Sequence, residues 1–410
     1  MRRRGSVHDG YRANVGRFYL YRGLVYFYLW LPTWVIYLQR MRQLTLAQIG
    51  LIGAVSWCAS ALAEVPAGVF ADRFGRRLSL AVGAFAYAAG TLTVAVAPSF
   101  WPILLGDLIW TVGFSFISGA DLALVYDSLK ADGSEEEYVR VNGRAAAVMF
   151  GAQGLASVLG ALLATHGLNL PHLAASGMGV VAGLVALTMR EPPFERAPAA
   201  RPGFRTTMRE AFGLLVASRS LRACTLYTIV THVPPFLVTY IFLQPYALEV
   251  GVPLAWMGVL VLALRLVSML GSELSHRVGQ RWGEPRFLWT LPLVMALGLA
   301  VMAVVGSPRA LLLLALVLLA SALLRPVISG VLNRQVDGQV RSTVLSFVAL
   351  GQTVAIAVTQ PLFGAVADVW GPSRMMLALA VALGVTVVPA LVHWPPFLRD
   401  LPASRTPTAP

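Results

Sequence analysis

Several ionisable side chains of this 410-residue chain stand where such groups are hardest to keep. Arg22, Glu64, Asp107, Asp121, His232, Arg265 and Arg325 all fall inside long apolar runs. An ionisable group in a low-dielectric interior is costly, so it faces protein or water and usually serves a function. The chemistry on offer is binding, with no bond-making machinery beside it. A carboxyl group can take up and release a proton, which makes Asp107 the leading candidate for proton coupling, followed by Asp121 and Glu64. A guanidinium can grip an anion in a fork, and an ordinary histidine titrates near neutral pH. No phosphate-cradling loop with its lysine, no His-Glu-x-x-His pair and no nucleophile elbow occurs, so an enzyme is not expected.

The elements that carry these residues follow from composition. The chain is 57% hydrophobic and 12% charged, against about 25% charged in a soluble protein. Apolar stretches of roughly 18 to 28 residues recur, each able to cross about 30 Å of hydrocarbon as a helix. The expected fold is all-α and integral to the membrane, with twelve crossings near 18–38, 46–70, 77–98, 100–128, 138–165, 171–189, 222–247, 253–277, 287–305, 308–331, 342–368 and 373–393. They fall into two six-helix bundles, 18–189 and 222–393. Tails lie at 1–17 and 394–410. The linker 190–221 contains EPPFERAPAARPGFR and then TMREAFGLLVASRSL, a candidate amphipathic surface helix.

The formal net charge is +13. Most basic residues occupy alternate gaps, while the opposite gaps hold Arg40, Arg42, Arg309 and Arg374. By the positive-inside rule both termini and the linker are cytoplasmic, in a multi-pass plasma (inner) membrane protein. The basic balance thus reflects orientation in a lipid bilayer, and no nucleic-acid partner is implied. Cys58 and Cys224 sit inside apolar runs and are expected to be free thiols. No metal and no cofactor is expected.

Polar and aromatic residues recur at helical spacing on four runs. The first carries Arg22, Tyr26, Trp30, Thr33 and Tyr37; the fourth carries Asp107, Thr111, Phe114, Ser118 and Asp121. The seventh carries Thr228, His232, Phe236 and Thr239, with Tyr240 beside them; the tenth carries Ser321, Arg325, Ser329 and Asn333. Each set falls on one face of a helix. With Arg265 and Gln352, these stripes form the candidate lining of a solute cavity. The same spacing also suits helix packing and hydroxyl-to-backbone bonds.

Between the second and third runs lies GVFADRFGRR, a dense charge knot from Gly68 to Arg77. Gly75 permits a reversal of direction, and Gly68 would let another helix approach. Asp72 is placed to accept from Arg73 or Arg76. A shift of 204 residues lays RFGRR on RVGQR at Arg277–Arg281, a repeat at half the chain length. The knot resembles the signature loop of the major facilitator superfamily, G-x-x-x-D-R-x-G-R-R, and the degraded second copy fits it. AEVPAGVFADRFGRR, SGADLALVYDSL and LNRQVDGQVRSTVLS resemble the drug-efflux-like bacterial branch.

That resemblance implies a twelve-helix transporter whose helices 1, 4, 7 and 10 line the cavity. It makes Gly68, Asp72, Arg73, Gly75, Arg76 and Arg77 a conformational latch working with Asp127, Arg144 and Arg341. One departure stands out: run five, MFGAQGLASVLGALLAT, lacks the Gly-Pro signature of proton-antiport drug exporters. No segment outside the runs is large enough for an ATPase domain, so secondary transport driven by an ion gradient is expected. The leading expectation is proton-coupled efflux of amphiphilic compounds by a monomer. Carriage of a small anionic metabolite on the intramembrane arginines is the alternative. A membrane enzyme or non-transporting sensor on the same scaffold is a third class, with no feature in its favour.

Overall fold

A computed structural model describes residues 5–192, 204–336 and 341–392. The described residues form helices joined by short turns, with no strand among them. In order they are α1 (Gly5–Val25), α2 (Trp34–Arg42), α3 (Leu46–Phe74), α4 (Arg76–Val96), α5 (Phe100–Ile117), α6 (Ala120–Asp132), α7 (Tyr138–Ala164) and α8 (Leu170–Thr188). Then follow α9 (Phe204–Ala217), α10 (Arg219–Leu237), α11 (Leu243–Glu249), α12 (Met257–Trp282), α13 (Glu284–Met302), α14 (Ala310–Arg334), α15 (Arg341–Trp370) and α16 (Pro372–Val392). Eleven helical stretches of the described residues are long and apolar enough to span a membrane, counting α5–α6 and α10–α11 as one each. Their outward side chains are greasy: Leu62, Val65, Leu297, Leu312 and Val385 are all largely exposed, as lipid-facing residues should be.

The first expected crossing is not one helix. It breaks at residues 26–33, where short bonds such as Tyr28 N–H to Tyr26 O (3.0 Å) replace the helical ladder. Pro32 supplies the reason, because it disfavours the helical region for the residue before it and offers no N–H. The broken segment lies directly on α7: the carbonyl of Leu29 occupies the space a side chain at Gly160 would need. Only glycine allows that approach. The fourth crossing also bends, at Ser118–Gly119, where Gly119 has φ +79°. In the seventh, the pair Pro234–Pro235 is followed by a π-turn, Val238–Phe242, a usual way to absorb missing backbone donors.

The linker stretch TMREAFGLLVASRSL does not form one helix. Ser218 interrupts it, and its hydroxyl accepts from Leu221 N–H (3.1 Å), capping the start of α10. Likewise Thr45 and Gln48 cap α3 reciprocally.

The chain divides into two compact units. Of the described residues, the first comprises those up to 192 with 252–262 and 360–364, and the second holds the others. The two short segments join the first unit through glycines. Gly258 closes on the Ser157 carbonyl of α7, and the buried Gln360 fills the space beside Gly50 and Gly53. The first unit has a core of Tyr21, Leu80, Ile117, Leu124 and Met189 with many alanines. Small residues carry helix contacts where lipid supplies no hydrophobic drive. Residues before Phe18, expected as a tail, continue α1 and are anchored: the buried Asn14 donates to Ser128 Oγ (2.9 Å) and to the Arg190 carbonyl (2.8 Å).

Candidate functional site

The charge knot closes α3 and opens α4. Gly75 has φ +97°, a region that favours glycine, and a side chain there would meet the Glu191 carboxylate at 2.9 Å. That carboxylate accepts from the backbone N–H groups of Arg76 (2.7 Å) and Arg77 (2.8 Å), capping α4 where its dipole is positive. Arg76 reaches the Ala123 carbonyl (2.6 Å) and pairs with Asp127. Asp72 is exposed and has no hydrogen bond or ion pair among the described residues, so it does not take Arg76 as the sequence suggested. Arg73 lies over the Phe74 ring at 5.5 Å. Arg77 and Arg144 are exposed; Arg144 makes no contact with Asp127 or Asp72 among the described residues. Among the described residues nothing lies within 4 Å of where a side chain at Gly68 would stand. Arg341 bonds the Val336 carbonyl (3.3 Å). Glu191 was not singled out beforehand, although an acid following run six against a basic linker was a visible signal. Replacing Glu191 by alanine should cost about 1 to 2 kcal/mol by uncapping α4, read as lowered thermal unfolding in detergent.

Deeper in the first unit, two carboxylates have different surroundings. Asp121 lies 3.0 Å from Arg22 Nε, both side chains nearly sealed from solvent. The contact is off-line for a hydrogen bond, so it is chiefly electrostatic. Arg22 also packs over the rings of Phe18 and Tyr26, 5.4 and 5.5 Å away. Arg22 is therefore a buried ion-pair member and not an open lining residue. Asp107 has no arginine among its bonded partners. It accepts from Ser56 Oγ on α3 and from Trp110 Nε1 (2.8 Å), one turn along α5. Trp110 was legible as the i+3 neighbour of Asp107; Ser56 depended on the packing of α3 against α5. Trp30 is buried and donates to Tyr87 Oη (3.3 Å). Thr33 is buried with its hydroxyl unpartnered. Tyr26 meets Phe114 edge-on at 5.6 Å. Ser118 and Glu64 are exposed and join neither carboxylate.

The second unit contains a cavity of about 340 Å³. Its polar lining is Thr228, Thr231, His232, Ser321, Arg325, Ser329 and Gln352. Arg325 Nη2 donates to His232 Nδ1 at 2.6 Å, which requires that Nδ1 carry no proton. The imidazole is then the neutral tautomer with its proton on Nε2. Among the described residues the lining contains one permanent cation and no carboxylate. Thr228 and Thr231 donate to carbonyls of their own helix (2.7 and 2.8 Å), leaving oxygen lone pairs toward the space. His232, Phe236 and Tyr240 form a ladder, with ring centres 5.7 and then 5.4 Å apart. Phe236, Tyr240 and the half-buried Arg265 do not line the cavity itself. Among the described residues no group of three His, Cys, Asp or Glu could hold a metal ion, and both cysteines are free.

Comparison with known proteins extends this geometry. Residues 19–358 match the family described as the Major Facilitator Superfamily. An uncharacterised MFS-type transporter, YxaM of Bacillus subtilis, is 40% identical over 92 residues, 22% of each chain. The inner membrane transport protein YajR of Escherichia coli is 28% identical over 144 residues, 35% of this chain and 30% of its own length. The matched regions thus span under a third of these curated relatives. The nucleoside transporter NupG, in a point-mutant form, superposes with TM-score 0.78 over 94% of this chain and all of its own, at 14% identity. A bacterial homologue of the lysosomal transporter Spinster gives 0.74 over 96% and 99%, at 17%. A D-xylose–proton symporter gives 0.70 over 94% and 98%, at 14%. At these identities the superpositions speak for the fold, and they span several branches, so no drug-efflux branch is singled out. With the family model covering most of its length, the chain belongs to the Major Facilitator Superfamily and is a multi-pass membrane protein.

Proposed function

We propose that this chain is a proton-coupled transporter and that its cargo is a small solute with an anionic or strongly hydrogen-bond-accepting group, docked on Arg325. The observation that carries this reading is Arg325 in a cavity of about 340 Å³ lined by hydroxyls, an amide and a neutral imidazole, with no carboxylate among the described residues. The volume lies in the range of small-molecule sites, about 300 to 1,000 Å³. An arginine there favours acceptors bound in a fork and disfavours cations. Asp107, held by Ser56 and Trp110 without a cation, is the coupling carboxyl. The knot acts as the conformational latch, with Arg76–Asp127 one of its settings. The arginine distribution supports a topology with both termini on the cytoplasmic side of a bacterial inner membrane, and the working form in this reading is a monomer.

A second reading, proton-driven efflux of amphiphilic compounds, draws on the His232–Phe236–Tyr240 ladder, which suits flat apolar solutes. One experiment separates the two. Purified protein in liposomes with an imposed pH gradient is offered a panel of organic anions and tetraphenylphosphonium. The expected result is gradient-driven anion movement that stops in Asp107→Asn. Movement of tetraphenylphosphonium alone, surviving Arg325→Ala, would overturn the anion reading and leave efflux of amphiphiles.

A further inference from the structure

The first unit encloses a second, much smaller cavity of about 20 Å³, bounded by Trp30, Asp107, Trp110 and His172 among others. His172 was not among the residues the sequence singled out. It stands near the start of α8 and is 4% exposed. Its ring lies 5.9 Å from Trp30, nearly parallel, and 4.8 Å from Tyr37. Its Nδ1 is sealed from solvent and has no hydrogen-bond partner among the described residues. Leaving a buried polar nitrogen unpaired costs about 1 to 3 kcal/mol, so such groups normally bond ordered water. A water needs about 10 to 15 Å³ of this kind of space, and the cavity supplies it beside a carboxylate that retains free lone pairs.

We propose that this cavity holds one water molecule joining His172 to the Asp107 carboxyl, and that His172 is the residue through which Asp107 exchanges its proton with the aqueous phase where α2 turns into α3. The inference rests on Asp107 being the coupling carboxyl. The charged and titratable groups around His172 are Arg42 and Tyr37 from α2 and, across the cavity, Asp107 from α5. Arg42 lies over Tyr37 at 5.3 Å and donates to its hydroxyl (2.9 Å), so a second cation beside it would be repelled. His172 therefore passes the proton without storing it. The carboxylic acid gives its proton to the water, and the water gives one to the imidazole lone pair. The proton on the other ring nitrogen leaves toward solvent. The carboxylate remains charged, the water is restored, and the imidazole ends as the other neutral tautomer. His172 acts here as a positioning residue and relay; it touches no cargo.

The test needs no cargo. Purified protein in phospholipid nanodiscs is taken through a pH jump, and a water-soluble pH dye follows proton release. Asp107→Asn should remove one release phase. His172→Phe, which keeps the ring stacking but has no nitrogen, should slow that phase on the order of tenfold or more, whereas His172→Gln, which keeps donor and acceptor, should stay within about threefold. Tryptophan emission from Trp30 and Trp110 checks that each variant retains the packing. A structural role alone would change that emission without a Gln rescue of the rate. Release at the wild-type rate in His172→Phe, with the phase still absent in Asp107→Asn, would overturn the relay and leave the Asp107 reading standing. A phase that persists in Asp107→Asn would overturn both. If His172→Phe fails to fold, an experimental map decides: a well-resolved cavity without water density removes the proposal.

Discussion

Replacing Arg22 by alanine should lower the stability of the protein by about 3 to 5 kcal/mol, because it strands Asp121 as an uncompensated buried charge. The partners stand 3.0 Å apart and both side chains are nearly sealed. Tyr21, Ile117 and Leu124 of the adjoining buried core carry no positive charge. The desolvation cost of the aspartate, which the guanidinium now offsets, would fall on the fold. The double variant Arg22→Met/Asp121→Leu should regain most of the loss, since both charges leave and apolar side chains fill similar volume. Thermal unfolding followed by tryptophan emission reads both outcomes. Equal stability of Arg22→Ala and wild type would show that Asp121 finds water or another partner. The double variant also settles the role of the pair: gradient-driven transport that survives it makes the pair structural. Loss of transport in a well-folded double variant returns Asp121 to the coupling machinery that the sequence suggested.

Arg325→Ala should weaken cargo affinity about 10- to 100-fold, the equivalent of one charge-assisted hydrogen bond worth about 1.5 to 3 kcal/mol. The effect should appear as a raised KM for anions, with the folded fraction unchanged, because the Arg325 side chain reaches the open cavity. Arg325→Lys should retain part of the affinity, since a point charge replaces a planar fork. His232 loses its bonded donor in these variants, so His232→Gln, which keeps an acceptor for Arg325, should cost less than either. Unchanged KM for every transported anion in Arg325→Ala would remove the arginine from the binding site.

The family and the transporter class were legible in residue order, because the knot and the run lengths are local properties. A tight turn needs Gly75 whatever packs around it, and a span needs its apolar length in any fold. Asp107 was legible as an intramembrane carboxyl, but its partners were not. Ser56 is 51 positions away, and the contact depends on how α3 lies on α5. The Arg325–His232 bond, across 93 positions, likewise required α10 and α14 side by side, although each residue stood out on its own helix.

Helical spacing misled where the backbone departs from the helix. The stripe from Arg22 to Tyr37 assumed one continuous rod, and the break at 26–33 sends Arg22 to Asp121 and Trp30 toward Tyr87. Pro32 was the visible warning, but the direction of the chain after it depends on Gly160 admitting the Leu29 carbonyl. Glu191 showed in the sequence only as an acid beside a basic linker and His172 only as a lone histidine; what each touches depends on how distant helices dock. What the sequence by itself determined is the solvent the protein folds in, its number of apolar runs, its charge asymmetry and its family, since these depend on composition and short-range order. Which ionisable groups pair, which stay open to a cavity and which share a sealed pocket was decided only by the tertiary structure, because burial and charge proximity exist only after distant helices meet.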